Sequence, residues 1–258
     1  MNRTGLMIAL GLAAIVGVAF GLYPELDLRI ARSFYEVTDT SHNMFALRVY
    51  PPLMLARDLG LWIGTVLIAP AVAALIIKLI LPRRKILVSG RAIVFLVATL
   101  ALGPGLLVNV VLKDHWGRSR PIDVKQFGGP EHFVAWWDPR GDCPGNCAFV
   151  SGDVAGAVWT MAPAALAPPQ WRALAYGAAL ALGIGMATVR VMAGGHFMSD
   201  VVFAGVFTFL IIWIMHGLLY RWPRTRLSDE AVERAIERIA MPGYNFIVGL
   251  FRKRKTER

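Results

Sequence analysis

The sequence predicts an all-α, polytopic membrane protein with six transmembrane helices. Three observations lead there. Apolar residues make up 56% of the 258 positions, and the mean hydropathy is positive, which a soluble domain of this length does not need. A bilayer core of about 30 Å takes roughly 20 apolar residues per helix, and six runs approach that length. They are Leu6–Tyr23, Leu59–Leu81, Ala92–Leu112, Val150–Leu166, Trp171–Met192 and Phe197–Tyr220. Charge is also segregated. Arg83, Arg84, Lys85 and Arg91 crowd one short link without an acid among them, and Arg3 and Arg172 mark two more points on the same side. Cytoplasmic loops carry this excess, so both termini are expected inside. Topology thus accounts for the formal charge of +10. The basic residues form no groove-sized motif, and nucleic acid is not an expected partner.

The runs divide the chain into a membrane domain, residues 1–220, and a basic amphipathic cytoplasmic tail, residues 221–258. The first run follows a single arginine. It is long for a signal peptide and lacks a following A-x-A site, so it reads as an uncleaved span. Residues 24–58 mix apolar and charged positions, as short interfacial helices do. Lys78, near the inner end of span two, is expected to snorkel. In the tail, Ala231, Val232, Ala235, Ile236 and Ile239 share one helical face, which suits a helix on the inner leaflet. The run Arg252-Lys253-Arg254-Lys255 would add attraction to anionic lipid.

Three stretches carry unusual chemistry. The first begins at Lys113, where K-D-H-W-G-R-S-R-P places Lys113, Arg118 and Arg120 on the outer side, against the charge trend. Cations there suit an anionic ligand at the membrane surface, or simply anchor to headgroups. The second opens span four with F-V-S-G-D. Ser151 has the character of an N-cap, and the free amides after it can hold an anion. Asp153 stands in the first turn, where the helix dipole alone would favour it. The third is Arg190 to Asp200, R-V-M-A-G-G-H-F-M-S-D. If helix begins at His196, Asp200 lies one turn on and can orient the imidazole. With six spans and an inner N-terminus, all three stretches meet at one membrane face. Several cations and helix-start amides around a histidine suit a tetrahedral anion under nucleophilic attack.

The remaining polar segment is the outer loop from Ile122 to Ala148. Trp136-Trp137 suits the headgroup level or a cover over the site. Cys143 and Cys147 flank Pro144-Gly145 on the side where disulfides persist, and a small local disulfide is the favoured reading over free thiols. No metal-ligand cluster, Walker loop or internal repeat is present in the sequence, so no metal or other cofactor is expected.

Lys113-x6-Arg120-Pro121, then Ser151-Gly152, then Arg190-x5-His196-x3-Asp200 resembles the type 2 phosphatidic acid phosphatase superfamily, from span three to span six. The W-G-R-S-R-P and G-G-H-F-M-S-D forms look most like bacterial enzymes acting on envelope lipids, including lipid A phosphatases. The resemblance implies a metal-independent membrane phosphatase. His196 would attack phosphorus and form a phosphohistidine, with Asp200 orienting it. Lys113, Arg120, Ser151, Gly152 and Arg190 would hold the phosphate oxygens, and Arg118 is added to that set here.

Two departures matter. Val189 replaces the serine that usually precedes the third-motif arginine. Val150-Ser151-Gly152-Asp153 stands where the family reads Pro-Ser-Gly-His, so the histidine that protonates the leaving oxygen is absent. Asp153 would serve as that acid if its pKa were raised. Alternatively His115 or His132 would supply the proton, or the leaving group needs none. The expectation is a multi-pass protein of the bacterial inner membrane with a periplasmic site, removing the 4′- or 1-phosphate of lipid A. Undecaprenyl-pyrophosphate or phosphatidylglycerophosphate hydrolysis, phosphotransfer to a second lipid, and a non-catalytic lipid-binding role are the alternatives. Apart from its phosphorylated lipid and the bilayer, no partner is implied.

Overall fold

A computed structural model describes residues 3–36, 45–85 and 87–256, with the side chains of 247 and 249–256 outside that set. The described residues are helical and contain no strand. The all-α expectation therefore holds. Nine helices are used below. They are α1 (Arg3–Leu22), α2 (Glu25–Arg32), α3 (Pro51–Ile80), α4 (Gly90–His115), α5 (Gly152–Trp159), α6 (Met161–Leu166), α7 (Pro169–Met192), α8 (Met198–Arg221) and α9 (Asp229–Thr256).

Five of these helices, α1, α3, α4, α7 and α8, are long and apolar enough to cross a membrane. The expected fourth span, Val150–Leu166, is not among them. It is two short helices that break at Thr160. Pro163 has no amide hydrogen to give the Trp159 carbonyl, and its ring crowds that oxygen. The Thr160 hydroxyl instead donates to the Ala157 carbonyl at 2.6 Å.

By their internal contacts the residues fall into two units, Met1–Gly64 with Thr99–Trp213, and Thr65–Ala98 with Ile214–Arg258. In the first unit α5 is buried on most of its surface, through Val154, Ala155, Ala157, Val158 and Trp159. It packs on α7 and on the lower-pitch π-helical stretch Ala101–Leu112 of α4. Gly183 allows the approach to α7, since a Cβ there would lie 2.8 Å from Val158 Cγ2. Trp159 donates its indole N–H to Thr99 Oγ1 at 3.0 Å, which satisfies the buried ring. Phe149, Phe203, Val108, Leu112 and Val201 continue this core towards the ends of α4 and α8. Trp136 belongs to it too, 4.5 Å from the Phe203 ring and donating to the Gly17 carbonyl. Trp137 is exposed.

In the second unit Lys78 is buried and donates to Glu237 at 2.9 Å and to the Pro82 carbonyl at 3.3 Å. The expected snorkelling does not occur, because α9 brings a carboxylate to the ammonium. Arg91 likewise pairs with Asp229 at 3.2 Å. Val232, Ile236 and Ala240 form the buried face of α9, whereas Ile239, expected on that face, is exposed. The side chains of Arg252-Lys253-Arg254-Lys255, and residues 37–44 of the expected outer segment, lie outside the described residues.

Candidate active site

The three motifs of the sequence meet in the first unit, and backbone hydrogen bonds join them. Ala148 N–H donates to the Arg118 carbonyl at 2.7 Å, linking the residues before α5 to the first motif. Ser151 N–H reaches the Asp200 carbonyl at 3.4 Å, and Ile122 N–H reaches the Gly194 carbonyl at 3.2 Å. These three contacts bring segments remote in sequence to one place.

His196 is buried. Its Nδ1 lies 2.7 Å from the Ala148 carbonyl oxygen. A carbonyl only accepts, so Nδ1 carries the proton and Nε2 keeps its lone pair. Burial lowers the imidazole pKa well below its ordinary value, and the charges of Arg190, Arg120 and Lys113 lower it further. The ring is therefore neutral near pH 7.

Asp200 does not touch this ring. Helix α8 begins at Met198 rather than His196, so the one-turn relation expected between the two residues does not form. Gly194, with a φ of +62°, stops helical continuation out of α7. A Cβ at Gly194 would also stand 2.4 Å from the Phe45 ring. One Asp200 oxygen accepts the Phe197 N–H at 2.8 Å, and the other is paired with Arg118.

Arg118 is fully buried and each of its three guanidinium nitrogens donates a hydrogen bond. Nη1 donates to Asp200 and to Ser199 Oγ at 2.8 Å, Nη2 to Asp27 Oδ2 at 2.8 Å, and Nε to the Val134 carbonyl at 3.1 Å. Its plane lies 4.7 Å over the Phe197 ring. The sequence reading grouped Arg118 with the phosphate ligands; here its guanidinium is held by Asp27, Asp200, Ser199 and the Val134 carbonyl. Asp27 on α2 also accepts from Ser199 N at 3.0 Å and from Ser199 Oγ at 2.5 Å. Sequence reasoning missed Asp27, because α2 reads as an interfacial helix.

The other cations face the start of α5. Ser151 caps that helix, accepting the Val154 N–H at 3.4 Å. A Cβ on Gly152 would stand 2.7 Å from Asn109 Oδ1 and 3.3 Å from Lys113 Nζ, so any larger residue would displace these two side chains. Lys113 Nζ donates to Asn146 Oδ1 at 3.1 Å, and Arg120 Nη2 to the Asn146 carbonyl at 2.6 Å. The Arg190 guanidinium lies against Gly195, where a Cβ would be 2.5 Å from Nη2.

Asp153 accepts from Arg57 Nε at 2.7 Å and lies 3.2 Å from Arg190 Nε, which is not aligned for a hydrogen bond. The Asp153 carboxylate thus rests against two guanidinium groups. Arg57 was not singled out in the sequence, where it reads as a flanking charge ahead of span two. His115 and His132 are engaged elsewhere. His115 Nδ1 lies 3.1 Å from the Val110 and Val111 carbonyls, and His132 bridges Lys125 and Asp142 on the loop.

Cys143 and Cys147 are joined as a disulfide with Cα atoms 5.7 Å apart. Among the described residues no group of three or more His, Cys, Asp or Glu side chains is placed to hold a metal ion.

Comparison with known proteins matches this chain to one family. Residues 91–226 match the PAP2 superfamily model. A lipid A 4′-phosphatase of Francisella tularensis subsp. novicida is 34% identical over 228 residues, covering 86% of this chain and 98% of that protein. Lipid A 4′-phosphatases of Rhizobium leguminosarum and Rhizobium etli are 44% and 42% identical over 104 and 102 residues. Each of those matches covers 40% of this chain, and 45% and 40% of the respective relatives. No solved structure matches. The family match covers more than half of the chain and one similarity runs nearly end to end, so this chain belongs to the PAP2 superfamily.

Proposed function

We propose that this chain removes the 4′-phosphate of lipid A through a phosphohistidine on His196, at the periplasmic face of a bacterial inner membrane. Family membership and the apolar helices make it a membrane lipid phosphatase. One observation carries the finer mechanism. A neutral, Nδ1-protonated His196 sits in the field of Lys113, Arg120 and Arg190, with Nδ1 on the carbonyl of Ala148, three residues before the Ser151 cap of α5. An unprotonated Nε2 can attack phosphorus, while the cations and amides hold the oxygens that gain charge. The P–O bond to the sugar breaks, and water then cleaves the P–N bond to return His196.

The leaving alkoxide needs a proton, and Asp153 is the group proposed to give it. In the resting site its carboxylate is paired with Arg57 and approached by Arg190. A bound phosphate would draw Arg190 away and add negative charge beside Asp153. Both changes raise the carboxyl pKa and favour protonation. The resting ion pair favours one second reading, a pyrophosphate substrate whose leaving group needs no acid.

Charge and connectivity support the proposed face. Helix α7 returns the chain to the site at Arg190, and Pro168 alone separates Ala167, which follows α6, from its start. Counting the α5–α6 segment as a crossing between α4 and α7, the basic links favour a cytoplasmic side for themselves and the opposite side for the site.

The test is phosphate release from a panel of lipid A, undecaprenyl pyrophosphate and phosphatidylglycerophosphate, with EDTA present. Release from lipid A at the 4′ position that disappears in His196→Ala supports the reading. Release from the pyrophosphate alone would replace the substrate, and equal release by His196→Ala would sink the mechanism.

A further inference from the structure

We propose that Asn146, held in the loop closed by the Cys143–Cys147 disulfide, is a positioning residue for Lys113 and Arg120. The inference rests on the phosphatase reading given above. Asn146 meets both cations at once. Its Oδ1 accepts from Lys113 Nζ at 3.1 Å and its carbonyl accepts from Arg120 Nη2 at 2.6 Å, while its N–H donates to Asp114 Oδ1 at 3.3 Å. Two like charges aimed at one ligand repel each other. A neutral residue with two acceptors holds both without discharging either, so their field stays available to phosphate. A carboxylate at this place would neutralise the cations and compete with the phosphate.

The loop around Asn146 is built for this role. Asn146 is the one non-glycine residue with positive φ among the described residues, at +50°. Asparagine tolerates that left-handed conformation better than most side chains. The conformation turns its side chain and its carbonyl towards two different cations. The bracketing cysteines are themselves stitched to the first motif. Cys143 N–H donates to the Gly117 carbonyl at 3.0 Å and Cys147 N–H to the Lys113 carbonyl at 2.9 Å. Ala148, the next residue, supplies the carbonyl that fixes the His196 tautomer. One disulfide-closed segment thus sets both the cations and the nucleophile.

The test uses the full-length protein, with orthovanadate as the phosphate-site probe and lipid A as substrate. Asn146→Gly keeps the left-handed backbone and the carbonyl to Arg120 but removes Oδ1. It is expected to raise the vanadate inhibition constant and the KM together by about tenfold, the size of one hydrogen bond to a charged group, with kcat changed far less. Asn146→Asp is expected to weaken vanadate more at neutral pH than at acidic pH, where its carboxyl is protonated. Removing both cysteines as Cys143→Ser with Cys147→Ser should reproduce the Asn146→Gly shift, and adding Asn146→Gly to that variant should change little more. Wild-type vanadate inhibition and KM in Asn146→Gly would overturn the proposal, even if the cysteine variants fail to fold. A wild-type protein without vanadate-sensitive phosphate release would overturn the phosphatase reading, and this inference with it.

Discussion

Arg57 and Asp153 form a direct ion pair, Nε to Oδ2 at 2.7 Å, across 96 residues of sequence. Asp153 is the residue proposed above as the acid, so the pair bears on how the leaving oxygen would be protonated. If phosphate binding loosens the ion pairs and makes Asp153 an acid, Asp153→Asn should lower kcat on lipid A by about 10²-fold or more, the usual worth of a general acid. The same variant should lose much less on a lipid pyrophosphate. Equal losses on both substrates would mean that Asp153 only holds Arg57 and Arg190 in place.

The depressed pKa of His196 has a directional consequence. An imidazole that stays neutral below its ordinary pKa keeps its nucleophilic form as the pH falls. The acidic limb of kcat/KM, read on the free enzyme, should therefore lie well below about pH 6.5. Arg120→Ala removes one of the positive charges that depress the pKa. It should shift that limb upwards while also raising KM. A limb that stays fixed in Arg120→Ala would assign it to another group.

The buried Asp27–Arg118–Asp200 cluster holds two carboxylates on one guanidinium. Arg118→Ala would leave both without their cation and should cost several kcal/mol, in the range of about 3–5 for a broken buried pair. Asp27→Asn keeps Arg118 paired with Asp200 and should cost less. Thermal unfolding of the two variants in detergent checks the order. A smaller loss for Arg118→Ala would show that the cluster does not carry the local stability.

A Cβ on Gly152 would stand 2.7 Å from Asn109 Oδ1 and 3.3 Å from Lys113 Nζ, and one on Gly195 2.5 Å from Arg190 Nη2. Gly152→Ala would push against Asn109 and Lys113, and Gly195→Ala against the Arg190 guanidinium. Each should lower kcat/KM by about tenfold or more, a barrier of about 1.4 kcal/mol, while the helices remain folded. Phosphate release together with circular dichroism separates the two effects. Unchanged kinetics in both would mean that the cations relocate at no cost.

Much of this was legible in the sequence, for identifiable reasons. The apolar runs announced the helices because a bilayer imposes length and composition directly. Lys113, Arg120, Ser151, Gly152, Arg190 and His196 stood out because cations and a histidine at span ends need a reason. The break at Thr160 had a signal in Pro163, obscured by the apolar run around it. The Asp200 geometry hinged on where α8 starts, which is Met198, two residues after His196. Asp27, Arg57 and Asn146 were not legible. They reach the site from 91, 96 and 33 residues away from their partners, and nothing local in their own segments distinguishes them from ordinary surface polar residues.

The account stands on His196 as the nucleophile, and one measurement addresses that directly. The protein is mixed with lipid A carrying radiolabelled 4′-phosphate, quenched within the first turnovers in alkali, and digested for mapping of the label. The account predicts an alkali-stable, acid-labile phosphate on the peptide containing His196, absent in His196→Ala. A wild type that releases phosphate at full rate without ever carrying label on that peptide would contradict it.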